Sequence, residues 1–476
     1  MRCFMGEKAV RPLVEYLSVE EAAARLGCEA AAAGVTEFAC VRNLDYVFCP
    51  FDLYALAPHS PLPLERAVAF AVDMDGTSTT TEPLALHALE YMVRRFTGRM
   101  DRADWPGLDE QRDYPYVIGN SNFRHTEFLV ERYGHWLDQA ALRQAFFEAL
   151  TWTLANLDDP QRRHEVALNA RNCGVGELLE DAEFKRLVAG GPIPADELPR
   201  RVAPVLQRFG GGFRCRHQSE VVAAALDVYY LRYHEILRRL ELGEGEALSR
   251  ELLGESGRRL VEPMPGYAMF VALIKGWLGA EAAELFEPLR AALPEGARQE
   301  LGAELAEQGP RRLARLGEWF ERTPARLALV TASIAHEAHA VMKEVVRQMA
   351  GEASCWPVSR VRREQLAERL SDYQAVFDAF VNASDAHEAR LKPHRDLYSI
   401  ALFRMSIPKS EYACCVGIED TEPGIVALRA AGVGCAVALP NRDTSRQNYS
   451  AASRVVTGGL PALILVHNLM LREERP

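Results

Sequence analysis

The sequence contains no run of about 18 apolar residues of the length a membrane-spanning helix needs. Met1–Tyr16 lacks an unbroken apolar stretch, so no signal peptide is expected there. There is no excess of basic charge either. Lys and Arg number 55 against 66 Asp and Glu, a net −11. A chain of that balance has no general attraction for nucleic acid or an anionic membrane surface. Its 10 cysteines are scattered over 476 residues with no C-x-x-C pair, which excludes a disulfide scaffold. No internal repeat or low-complexity tract is visible. These absences lead to the expectation of a soluble, reduced, cytoplasmic protein. Apolar residues at 48% and charged residues at 25% are ordinary globular values. The length is too great for one core and suggests roughly three domains.

Three zones separate along the chain. Residues 1–65 carry a capping-box pattern, Ser18-Val-Glu-Glu21, before an alanine-rich amphipathic stretch, and are expected to form a helical extension. A Pro-containing link at Pro58–Pro63 closes this zone. The apolar run Ala67–Val72 then predicts a buried parallel strand, stopped by Asp73-Met-Asp-Gly-Thr77. From Glu82 to Arg322 the periodicity is helical, and residues 83–322 are expected to form a mostly helical insertion. Residues 323–476 alternate strand and helix, with strands predicted at Arg326–Val330, Phe377–Asn382, Tyr412–Ile418, Cys435–Leu439 and Ser453–Val456. Such alternation defines an α/β fold with a doubly wound parallel sheet. The strand before Asp73 cannot bury itself alone, so residues 66–82 and 323–476 should build one core interrupted by the helical insertion.

Ligands of open parallel sheets bind beyond the carboxyl ends of the strands. At those ends stand Asp73 and Asp75, Thr331 and Ser333, Lys392, and the pair Glu419 and Asp420. Hard oxygen ligands without His or Cys favour Mg²⁺. A carboxylate can serve as a nucleophile toward phosphorus, with an ammonium and a hydroxyl stabilising the transferring group. The set therefore suits phosphoryl transfer, and the helix beginning near Ile334 is expected to aim backbone N–H groups at the phosphate.

Asp73-Met-Asp-Gly-Thr77, Leu329-Val-Thr-Ala-Ser333, Leu391-Lys-Pro-His-Arg-Asp-Leu-Tyr398 and Gly417-Ile-Glu-Asp-Thr-Glu-Pro-Gly424 resemble, in order, the four motifs of the haloacid dehalogenase-like (HAD) superfamily. The likeness is to its β-phosphoglucomutase and phosphoglycolate-phosphatase branch and covers roughly 64–90 and 326–471. The resemblance implies a Rossmann-like core with a cap inserted after the first core strand. It implies Asp73 as nucleophile, Asp75 as general acid and base, and Thr331 and Lys392 as phosphate ligands. Gly76, Thr77, Ala332 and Ser333 would complete the phosphate cradle. Mg²⁺ would be held by Asp73, Glu419 and Asp420 together with the backbone carbonyl of Asp75. A second Asp at position 75 points to phosphoryl transfer rather than dehalogenation. Ser78, Thr80 and Arg395 depart from the branch pattern, and the 258 residues separating Asp73 from Thr331 far exceed a common cap.

The expected activity is hydrolysis of a small phosphorylated metabolite, a sugar phosphate or a phosphoglycolate-like ester. Two alternatives are a phosphomutase of the β-phosphoglucomutase kind and a regulatory binding protein on a phosphatase core. No nucleic-acid or membrane partner is expected. The length of the insertion suits a fixed or oligomer-forming roof as well as a mobile lid, whose hinges would lie near Glu82 and Arg322. The polar segment Asn120–Glu127 reads more readily as a solvated helix cap than as a specificity loop. Arg171–Gly176 reads as a turn, and His336 with His339 as a partly exposed helix face rather than a zinc site. Tyr16–Gly27 has the opening of a helix-turn-helix, but no basic recognition helix follows it.

Overall fold

The computed structural model describes residues 13–26, 35–44, 47–254 and 259–473. Its centre is a six-stranded parallel sheet in the order β6-β5-β4-β7-β8-β9. These strands are β4 (Ala69–Asp73), β5 (Arg326–Val330), β6 (Ala379–Val381), β7 (Cys415–Glu419), β8 (Cys435–Ala438) and β9 (Arg454–Val455). Every residue of β4 and β7 is buried, as continuous apolar strands covered on both faces require. On one face Phe70 packs edge-on to Phe270, at 5.4 Å between ring centroids, and tilts against Phe320. On the other, Gly417 lets the Leu428 side chain of the Glu422–Ala430 helix press down on the sheet, where a Cβ would lie 2.4 Å from it. The expected α/β class and doubly wound sheet are therefore present.

Residues 13–55 differ from the helical extension expected of them. Strands β1 (Val14–Leu17), β2 (Phe38–Arg42) and β3 (Phe51–Ala55) form an antiparallel sheet beside a single helix, Val19–Leu26. The capping box is real, since Ser18 N–H donates to Glu21 at 2.8 Å and Glu21 N–H to Ser18 Oγ at 3.3 Å. It caps one short helix, and the segment just after it, where a recognition helix would begin, lies outside the described residues. Local helix signals dominated the reading because four- and five-residue strands declare themselves only through their partners. Residues 1–12, 27–34 and 45–46 of the expected extension lie outside the described residues. The small sheet is tied to the core by Tyr16 Oη donating to Glu422 at 3.0 Å and by Arg429 paired with Glu37 at 2.6 Å.

The insertion also ends earlier than Arg322. Thr80 N–H donates to the Glu262 carbonyl and Met264 N–H to the Ser78 carbonyl, each at 2.9 Å. The outgoing and returning chains thus run side by side at 78–80 and 262–264. Beyond them the helices Tyr267–Ile274 and Glu295–Arg322 bring Phe270 and Phe320 onto the sheet, so they cover the core. Helical periodicity continues unbroken across this change of role, and composition alone could not mark it. Thr80, one of the departures from the branch pattern, joins the two crossing segments, with its Oγ1 accepting from Glu262 N–H at 3.1 Å.

Between the crossings lies a helical body. Its helices Glu82–Thr97, Asn122–Tyr133 and Gln139–Asn156 pack around the long helix Gln218–Glu241. That long helix meets the core helix Ala335–Ser354 through a buried pair, His234 Nε2 and Glu337 Oε1 at 3.0 Å. Burial pushes the Glu337 carboxyl up to about 8 and holds the imidazole well below its ordinary value, so a neutral acid faces a neutral ring. A carboxyl raised in the folded state binds a proton there that the unfolded chain has released. Stability is therefore lost as pH rises from about 4.5 toward 8. Glu337→Gln keeps a donor and has no proton to lose. Its thermal midpoint should exceed that of the wild type by roughly 2–4 °C at pH 8 and much less at pH 5. An equal difference at both pH values in thermal melts would show that Glu337 is ionised in the fold.

Candidate active site

Parallel register sets the site. Asp73 pairs with Val330 and Val72 with Ile418, so β4, β5 and β7 end level. Glu419, the last residue of β7, and Thr331 and Asp420, just past the ends of β5 and β7, are thereby delivered beside Asp73. Lys392 arrives from beyond β6 by way of two short turns, Ala383–Asp385 and Glu388–Arg390. All five are buried.

The turn after β4 is closed by its own backbone. Ser78 and Thr79 N–H both donate to the Met74 carbonyl at 2.9 Å, and Ser78 Oγ to the Asp73 carbonyl at 2.6 Å. Gly76 sits at φ +78°, and a Cβ there would fall 2.3 Å from Asp420 Oδ2. Glycine is needed both for the backbone and for the approach of the fourth motif. Thr77 Oγ1 then donates to Asp420 Oδ1 at 3.2 Å.

Lys392 Nζ bridges two carboxylates. It contacts Asp73 Oδ1, lies 2.8 Å from Glu419 Oε1, and reaches the Val330 carbonyl at 3.4 Å. Tyr398 Oη donates to the same Glu419 oxygen. One carboxylate oxygen each from Asp73, Glu419 and Asp420 lie within 4.8 Å of one another. Burial and the neighbouring carboxylates push Asp73 and Asp420 well above the ordinary carboxylate range. Burial alone would drive the Lys392 ammonium down, but Asp73 and Glu419 more than offset it, and its pKa is raised. Three carboxylates facing one ammonium leave negative charge uncompensated, and the donor set is all oxygen. Such a cluster could hold a hard divalent cation.

Asp75 stands apart from that cluster among the described residues. Its carboxylate accepts from Thr81 Oγ1 at 2.5 Å, Thr331 Oγ1 at 2.8 Å and Ser333 Oγ at 3.2 Å. Thr331 and Ser333, expected to meet phosphate, are here engaged with Asp75. Ser333 N–H donates to Thr331 Oγ1 at 2.9 Å, and Ala335 N–H, at the start of the following helix, to Ser384 Oγ at 3.2 Å. The helix near Ile334 therefore presents fewer free N–H groups in this conformation than expected.

Asp73, Asp75, Lys392, Ala332 and Ser333 open onto one cavity of about 60 Å³. A water takes about 10–15 Å³ on this measure, so the cavity as it stands has room for roughly four to six waters. Several lining residues come from outside the four motifs. Thr81 and Glu82 come from the outgoing chain, and Asn120, Asn122, His125, Tyr229 and Tyr233 from the insertion. The segment Asn120–Glu127 is a helix cap as expected, with Ser121 Oγ accepting from Arg124 N–H at 3.4 Å. It is not solvated, since Ser121 and His125 are buried. Two supports of the acidic cluster also escaped notice. Tyr398 belongs to the third motif and could have been suspected from it. Asn441, whose Nδ2 donates to Asp420 at 2.8 Å, lies just past β8, where the strand-end rule applied equally.

The other segments weighed from sequence lie elsewhere. Arg171–Gly176 is a turn at a helix end, with Gly174 at φ +79°. His339 Nδ1 lies 3.1 Å from Tyr373 Oη, away from the acidic cluster.

No family model matches the chain, and no curated protein matches its sequence. Among solved structures it is similar to CbbY from Rhodobacter sphaeroides in complex with phosphate. The identity is 14%, covering 84% of this chain and 100% of that one, with a TM-score of 0.36. A mutant of the same protein in complex with xylulose-(1,5)bisphosphate also matches at 14% identity, covering 83% and 99%, with a TM-score of 0.37. A hydrolase from Pseudomonas syringae matches at 11%, covering 85% and 100%, with a TM-score of 0.33. The four segments that resemble the HAD motifs meet at one edge of the sheet.

Gly424 tests how tightly that edge is built. A Cβ there would lie 1.9 Å from the Glu419 carboxyl carbon. Gly424→Ala should therefore displace a buried carboxylate and cost about 1–3 kcal/mol. Gly351→Ala, on an open helix face with nothing within 4 Å, should be neutral or slightly stabilising. Thermal melts of the two variants should separate clearly, and equal midpoints would contradict the packing at Glu419.

Proposed function

We propose that the protein is a Mg²⁺-dependent phosphomonoester hydrolase acting through a phospho-Asp73 intermediate. The observation that carries this reading is the placement of Asp73. Its carboxylate lies against Lys392, within 4.8 Å of Glu419 and Asp420, and opens onto the same small cavity as Asp75. Lys392 holds Asp73 in position and supplies positive charge where phosphoryl oxygens would sit. An oxygen of Asp73 forms the new bond to phosphorus as the ester P–O bond breaks. Asp75 gives its proton to the departing alkoxide. It then takes one from water, whose oxygen attacks phosphorus and releases the Asp73 carboxylate. The shell of three hydroxyls around Asp75 suits both steps, because a hydroxyl can donate to a carboxylate or accept from a carboxylic acid. Mg²⁺, held by the carboxylates of Asp73, Glu419 and Asp420 and the Asp75 carbonyl, would offset the charge of the phosphoryl group.

The wild type should release phosphate from p-nitrophenyl phosphate with Mg²⁺ and stop when the metal is chelated. Asp73→Asn should abolish turnover while melting like the wild type. Asp75→Asn should slow it by about 10²–10⁴. Asp73→Asn activity within tenfold of wild type would sink the covalent route. Full activity after exhaustive chelation, or zinc at stoichiometric occupancy, would contradict the metal assignment.

A further inference from the structure

The cap side of the cavity has a distinctive chemistry. The insertion contributes Asn120, Asn122, His125, Tyr229 and Tyr233, all neutral hydrogen-bonding groups, and no Lys or Arg among the described residues that line it. Lys392 is the only lining cation, and it is committed to Asp73 and Glu419. Beside the cap groups stand Asp75 and, at the start of the first helix of the insertion, the half-buried Glu82, whose carboxyl is pushed up to about 8 by burial and by Asp75. The nearby Arg162 is withdrawn into ion pairs with Asp227 and Glu165 and lines no part of the cavity.

His125 is the most informative of these groups. It is only 7% exposed, yet neither ring nitrogen closes a hydrogen bond, although the Asn120 backbone lies beside the ring. Asn120 Oδ1 is also buried without a partner. Buried polar atoms are rarely left so unless a ligand or water completes them. Burial holds the imidazole neutral, its pKa pushed down to about 3, so the ring offers one donor and one acceptor rather than positive charge. The loop is also fixed against the core. Gly119 sits at φ +85°, where a Cβ would lie 2.5 Å from Thr421 Cγ2, and Gln447 Nε2 donates to the Ile118 carbonyl at 3.3 Å. His125 and Asn120 thus line the cavity from a docked segment.

From this lining we infer that the site selects phosphomonoesters whose leaving group is neutral and hydroxylated, and rejects esters carrying a second anion. The inference rests on the proposed phosphatase chemistry and narrows its substrate. A second phosphate or a carboxylate under this cap would be desolvated beside Asp75 with no free cation to pair it, an arrangement that strongly opposes binding. A hydroxyl can instead donate to His125 or Asn120 Oδ1 and accept from an imidazole N–H. Phosphoglycolate-like esters and sugar bisphosphates are thereby disfavoured, while short polyol and simple sugar monophosphates remain.

The near-isosteric pair sn-glycerol 3-phosphate and 3-phosphoglycerate tests this directly, since they differ by a hydroxymethyl group against a carboxylate. Calorimetric titration of the full-length Asp73→Asn chain with Mg²⁺ reads binding without turnover. Glycerol 3-phosphate should bind at least about tenfold tighter than 3-phosphoglycerate, and glucose 6-phosphate tighter than glucose 1,6-bisphosphate, a ratio that electrostatic exclusion readily supplies. Adding Asn122→Lys, or Asn120→Lys if the first fails to melt like its parent, should narrow or reverse the first ratio by about tenfold. Equal or tighter binding of the anionic member in the parent, or binding of none of the four, overturns the inference. Wild-type hydrolysis of p-nitrophenyl phosphate separates it from the catalytic proposal. If that ester is cleaved and 3-phosphoglycerate binds as well as glycerol 3-phosphate, only the selectivity fails. If it is left intact and the binding preference holds, the catalysis fails and the selectivity stands.

Discussion

The arrangement at the end of the sheet depends on one electrostatic constraint. Asp73, Glu419 and Asp420 are buried together, and Lys392 is the only ammonium among them. Desolvated like charges repel strongly, and the fold offsets this with hydrogen-bond donors rather than further cations. Thr77 and Asn441 donate to Asp420, and Tyr398 and Thr421 to Glu419. The glycines at 76 and 424 exist because the two acidic residues at the end of β7, Asp420 and Glu419, lie where a Cβ would be. The remaining negative charge is what would let the edge hold a cation and, with a cation, a phosphate.

The same constraint explains how the insertion is used. With the sheet edge supplying charge, the cap contributes shape and neutral polar groups. Gly119 lies against Thr421, which itself donates to Glu419 at 3.2 Å, so cap position and acidic cluster are joined through one residue. The pairing of Thr80 with Glu262 and of Ser78 with Met264 sets the base of the cap within a few residues of Asp75. The antiparallel sheet of residues 14–55 reaches toward the same region, where Tyr54 Oη lies 2.8 Å from His394 Nδ1, two residues past Lys392. Asp52 reinforces that contact through its pair with Arg390.

The amino-acid sequence by itself determined the core and the residues at its edge. Apolar runs that stop abruptly at Asp, Thr or Glu can only be buried parallel strands with polar ends, and parallel register then brings those ends level whatever the intervening length. That is why Asp73, Thr331, Lys392, Glu419 and Asp420 could be named together although up to 347 residues separate them. Tertiary structure alone decided the rest. The three N-terminal strands are too short to outweigh local helix signals. The base of the cap at 262–264 is set by pairing rather than by composition. His125, Tyr229 and Tyr233 reach the cavity because helices distant in sequence pack side by side, a fact of three-dimensional packing that no local pattern of residues records.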